Sequence, residues 1–204
     1  MIENIEIDPK IKVREVNDLL VCPQVVRVKS FTEDALHLFA HEMSMAHYSG
    51  QPIIPIVIDS YGGDAYALFS MVDIIRTAKR PVATIVEGKA MSCGAVLFTC
   101  GAEGYRFMGP NATLMLHDVS TEDMTGKAED VKVGAKETGR LNRRMWKLME
   151  QNVGQPNGYL WKQAQARGRT DWYMDPKEAL RHNIANHIRV PSLRTVIRVD
   201  TVLE

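Results

Sequence analysis

Ser92 lies in the stretch VEGKAMSCGAVLFTCGA (residues 86–102), between Met91 and Cys93, with Ala90 and Gly94 outside them. A serine hydroxyl becomes a nucleophile only when a base removes its proton and a third group orients that base. The residues before Ser92 read as buried strand and those after it as helix, so it falls on a strand-to-helix turn. α/β proteins bind ligands at the carboxyl ends of such strands. Free N–H groups at a helix start favour negative charge, which is what an oxyanion needs during acyl transfer. The plain alternative is a helix N-cap, and for AMSCG alone that is the commoner use. The pattern misses the G-x-S-x-G elbow by one residue, because Ala90 stands in the first glycine's place.

Six histidines could serve as a base. His37, His41 and His47 fall on or near the first helix and read as solvent-facing. The i, i+4 spacing of His37 and His41 could suit a metal, but no accompanying Cys or well-placed carboxylate supports one. His182 and His187, in or after the late helix, read as surface or capping residues. His117 ends the apolar strand ATLML at the lip of the sheet, from which an imidazole can reach a neighbouring strand end. DSYGGD (Asp59 to Asp64) follows another buried strand, and its paired glycines allow positive φ and close backbone approach to a ligand. No Lys-Ser/Thr follows those glycines, so a phosphate loop is excluded. The acid stays undecided on pattern alone. Asp171 begins an aromatic strand-like piece, Asp175 reads as the N-cap of the next helix, and Asp118 adjoins His117 too closely for an easy side-chain hydrogen bond.

These residues need a scaffold. With 204 residues, 45% hydrophobic and 25% charged, the chain suits one globular domain. Its net charge of zero argues against nucleic acid or an anionic membrane surface as a main partner. Three cysteines (Cys22, Cys93, Cys100) form no CxxC pair, which points to a reducing cytoplasm. The start MIENIEIDPKIKV shows no secretory pattern, and the apolar runs are too short to span a bilayer. The pattern predicts a strand over residues 19–28, a helix opened by a Ser30–Glu33 capping box, and a buried strand PIIPIVID. A helix AYALFSMVDIIRTA follows, then a strand RPVATIVEG and a helix GAVLFTCGA. YRFM and TLMLH read as short strands, and a long amphipathic segment runs from Lys127 to Val153 with Leu141, Met145, Leu148 and Met149 on one face. A last helix, DPKEALRHNIA, follows. Strands alternating with helices predict an α/β fold with a largely parallel sheet. So long a helix is expected to project from the core or pack against another subunit.

IDSYGGDAYAL, GKAMSCGAV, GAEGYRFMGPNATLMLHD and RTDWYMDPKEALRHNIAN occur in an order and spacing that resembles the proteolytic subunit of the Clp protease (the ClpP family). The likeness runs from about Leu19 to about His187. It divides the chain into a divergent segment 1–18, a peptidase domain 19–190 with a handle region at about 120–160, and a tail 191–204. It implies a ClpP/crotonase-like fold with a projecting handle helix, and a catalytic triad of Ser92, His117 and Asp171. The oxyanion hole falls on the N–H groups of Gly63 and Cys93. It further implies a homo-oligomer of stacked heptameric rings enclosing the sites, with peptides and unfolded proteins as substrates. An AAA+ unfoldase would be the partner, and no cofactor is implied beyond the ATP that the unfoldase consumes.

The chain departs from the family's pattern at several points. Tyr61 stands where a Pro is usual, Asp118-Val119 replaces the frequent Gln-Pro, and the amino-terminal pore-loop pattern is missing. These departures fit a divergent, phage-borne member. Two other readings are open: a crotonase-type acyl-CoA hydratase or isomerase, which would rely on Glu acids and bases, and a non-catalytic ring subunit, which would be expected to have lost a triad residue.

Overall fold

The computed structural model describes residues 5–6, 23–121, 125–193 and 195–196. Cys22, the first part of the expected strand 19–28, and most of the segments 1–18 and 191–204 lie outside the described residues. Chain order is β1 (Ile5–Glu6), β2 (Val26–Val28), α1 (Glu33–Tyr48), β3 (Ile54–Ser60), α2 (Ala65–Arg76), β4 (Val82–Met91) and α3 (Cys93–Phe98). Then come β5 (Arg106–Met108), β6 (Thr113–Leu116), α4 (Ala128–Asn152), α5 (Tyr159–Ala166), β7 (Trp172–Met174), α6 (Pro176–Arg181), β8 (His187–Ile188) and β9 (Thr195–Val196).

The main sheet runs β2-β3-β4-β5-β8 with every pair parallel, as the alternating pattern predicts. β3 is apolar on both faces because both are covered: Ile54, Ile56 and Ile58 enter the main core, while Val57 joins Ala83, Ile85 and Phe107 in a smaller cluster on the opposite side. β4 does two jobs. Thr84–Val86 pairs with β5, and Lys89–Met91 pairs with β6. Gly88, at φ 80°, stands between the two stretches, and the β3–β4 register slips beside it, from Ile58↔Val86 to Ser60↔Ala90. That irregularity carries Met91 and Ser92 to the lip of the sheet. β7 then adds to β6 antiparallel, Leu116 opposite Trp172.

The helix boundaries refine the sequence expectations. α1 is capped by Thr32, whose Oγ1 accepts from Ala35 N–H at 3.1 Å, so the Ser30–Glu33 box does not form. Phe31 is held instead in a bridge to Gly63, which places the chain's entry to the helix two residues later than the pattern suggests. α3 is shorter than GAVLFTCGA and wholly buried. α4, of 25 residues and about 37 Å at 1.5 Å per residue, matches the expected segment closely. Its Leu141, Met145, Leu148 and Met149 stripe is buried within this same chain, so this half of α4 neither projects nor needs another subunit to cover it, which corrects the expectation for that half. The projecting part is the first half, Ala128–Arg140, where no residue is buried. His182 caps α6, one of the two roles expected for it; it also takes a 3.0 Å contact from Tyr159 Oη and packs edge-on against Trp172. His187 stacks on Phe107 and bonds the Gly104 carbonyl.

Candidate active site

Three neighbouring strands deliver the site. The glycine turn follows β3, Ser92 follows β4, and His117 follows β6, which pairs with β4. Ser92 occupies the N-cap position of α3 but makes no side-chain capping bond. Its Oγ lies 2.7 Å from His117 Nε2 instead. The backbone holds this arrangement: Ser92 N–H donates to the Met115 carbonyl at 2.8 Å, tying the serine turn to the strand that ends at His117.

Ser92 has φ 53° and ψ −121°, a conformation a non-glycine residue seldom adopts. Backbone strain of this kind costs on the order of 1–3 kcal/mol and survives only where the surroundings fix it. The surroundings here are tight. A Cβ on Gly62 (φ 111°) would come within 2.7 Å of Ser92 Cβ, and one on Gly63 (φ 148°) within 2.5 Å of the Phe31 carbonyl oxygen. The paired glycines therefore let the turn close onto the serine and onto the start of α1. It is Asp64 N–H that donates to Phe31 O, at 2.8 Å, and Asp64 also caps α2 through Ala67 N–H. Cys93, as the first residue of α3, has no intrahelical acceptor for its N–H. Its thiol points away to the Gly63 carbonyl, and burial pushes its pKa up to about 11, so it is neutral and no rival nucleophile.

Asp171 is exposed, and among the described residues it makes no hydrogen bond to His117. The ladder brings them near: Leu116 pairs with Trp172, so positions 117 and 171 face each other one step beyond β6 and β7. Asp118 does not touch the imidazole. Its Oδ1 accepts from Asn142 Nδ2 and Trp146 Nε1, each at 2.9 Å, and its Oδ2 from Arg169 Nε and Nη2 at 3.0 and 2.5 Å. Burial acts to raise the Asp118 pKa, but these donors outweigh it and hold the carboxyl below its ordinary value. Arg169 itself sits at φ 56°, in the loop that leads to Asp171. Nothing in the sequence signals this four-donor cluster except that Asp118 is unusual beside the histidine.

His37 and His41 are both exposed on α1, and among the described residues no group of three or more His, Cys, Asp or Glu is placed to hold a metal. No helix among them is long and apolar enough to cross a membrane.

This α/β scaffold, with a strained serine bonded to a strand-end histidine, is matched over residues 16–191 by the family model described as Clp protease, and the chain belongs to that family. It is similar to the ATP-dependent Clp protease proteolytic subunit of Deinococcus radiodurans, 32% identical over 135 residues, which cover 66% of this chain and 64% of the relative. It is also similar to the ATP-dependent Clp protease proteolytic subunit 1 of Chlamydia caviae, 37% identical over 116 residues, covering 56% of this chain and 60% of the relative. The chain thus spans less than two thirds of the length of these curated relatives. Neither comparison supports the crotonase alternative.

Proposed function

We propose that the chain is a serine peptidase subunit in which Ser92 is the nucleophile and His117 the general base. The observation that carries this reading is the 2.7 Å contact between Ser92 Oγ and His117 Nε2 at a strained strand-to-helix turn. As Ser92 Oγ attacks a peptide carbonyl, its proton passes to Nε2, and the oxyanion is received by the N–H groups of Gly63 and Cys93. His117 then gives the proton to the leaving amine; water, deprotonated in turn by His117, attacks the acyl carbon, and His117 returns that proton to Ser92 Oγ as the acid departs. Asp171 orients the imidazole and offsets its positive charge; its assignment rests on strand register and not on a formed hydrogen bond. The roles of Asp171, Gly63 and Cys93 also draw on the resemblance to the family.

The same resemblance supports an assembly of stacked heptameric rings around the sites, fed with peptides and unfolded proteins by a hexameric AAA+ unfoldase that alone uses ATP. Cytoplasmic placement goes with that reading. The test is hydrolysis of a fluorogenic peptide by Ser92→Ala. Loss of several orders of magnitude in rate with the fold intact is expected; a variant working at the parent rate overturns the assignment.

A further inference from the structure

A shallow cleft beside His117 and an open groove between α4 and α5 lie side by side, sharing Trp161 and Arg169 as lining. The groove has a volume of about 620 Å3. Trp146, buried on α4, lines it from below, and the partly exposed Trp161 forms a wall. Its charges are unevenly spent. Arg169 is paired with Asp118, and Glu150 is buried with its oxygens taken by the N–H groups of Gly158 (2.6 Å) and Trp161 (3.2 Å). Arg143 and Lys147, one turn apart on α4 and both exposed, have no ion pair among the described residues. The solvent-facing side of the groove is therefore cationic, although the chain as a whole is neutral.

We propose that this groove receives the part of a substrate peptide adjoining the bond to be cut and favours peptides with an acidic side chain there. The inference rests on the peptidase reading and names a substrate class for it. The wall of Trp161 and Arg169 that the groove shares with the His117 cleft makes a substrate segment the fitting occupant. The two unspent cations supply charge complementarity, and the tryptophans offer apolar surface to the stem of a Glu or to its neighbours. Exposed pairs of this kind are each worth a factor of about 1.5 to 5, so the two together give a preference of about twofold to 25-fold.

Matched fluorogenic peptides carrying Glu, Gln or Lys at successive positions around the cleaved bond test this, with the parent and with Arg143→Glu/Lys147→Glu. The parent should prefer Glu over Lys at one or more positions through KM, and added salt should shrink the preference. The double variant should reverse it. Arg143→Gln and Lys147→Gln, each removing part of the preference, carry the same test if the double variant does not fold. Equal kcat/KM for Glu and Lys peptides, or a preference untouched by the substitutions, overturns the inference alone. A parent protein that leaves even the Gln peptide intact overturns the peptidase reading and the inference with it.

Discussion

At the scale of single residues the site divides into a formed part and an unformed one. Ser92 and His117 are bonded, and the residues that hold them are buried or backbone-anchored. The acid is not in place, and two candidates flank the base with different surroundings. Asp118 already satisfies four donors and is turned away from the imidazole. Among the described residues Asp171 has no hydrogen bond, and its position faces 117 across the ladder. Asp171→Asn should therefore slow turnover by about 10⁴-fold, by permitting the wrong histidine tautomer. Asp118→Asn, which removes the acceptor for Arg169 but keeps an oxygen for Asn142 and Trp146, should cost less than about tenfold. Steady-state kinetics on one peptide decides, and equal small losses would remove Asp171 from the triad. Ser92 and His117 stood out in the sequence only as strand-end candidates, which the resemblance paired; the fold puts the two in contact. The Asp118 cluster was not legible there, since its partners arrive from α4 and from a loop with a left-handed Arg169, which no local pattern announces.

At the scale of elements, α4 shows why periodicity fixes a helix better than its surroundings. The Leu/Met stripe marked the helix within a residue at each end but could not say which surface would cover it; this chain's own core does. Met145 is 5% exposed, so Met145→Glu should unfold the α4 region by burying an unpaired charge, and so is no test of assembly. Val133, 65% exposed on the projecting half, is the better probe. Val133→Glu should leave the melting temperature of the chain unchanged while lowering the assembled mass seen by light scattering. Unchanged mass would mean that this half of α4 joins no other copy. The base of the projection is tied down by Glu137, which accepts from Arg140 and from Tyr66 Oη on α2. The Arg140 hydrogen bonds, then that of Tyr66, pull the Glu137 pKa from 4.5 to about 2. Because the folded value is the lower one, the tie is fully present above pH 4.5 and is lost as pH falls through about 2. An NMR titration of the Glu137 side chain should find its midpoint near 2, and a midpoint at 4.5 would mean the tie is absent in solution.

At the scale of the whole molecule, the sheet is what turns scattered motifs into one site. Gly62 and Gly63, Ser92 and His117 are far apart in sequence, yet each follows the carboxyl end of β3, β4 or β6, of which the first and last both pair with β4. The alternation of buried strands and helices made that architecture readable. The split pairing of β4, with β5 along one half and β6 along the other, was not, because it depends on Gly88 and a register slip that only the tertiary fold reveals. Arg106 was equally hidden. It is fully buried, and its guanidinium donates to the carbonyls of Gly101, Asn183 and Ile184, pinning the segment after α6 to β5. In the proposed peptidase this framework activates one serine, Ser92. Treatment of the full-length protein with a fluorophosphonate, followed by intact mass and peptide mapping, tests it directly. The account predicts one adduct per chain, on Ser92, and none on His117→Ala; a protein left unmodified, or modified at another serine, would contradict it.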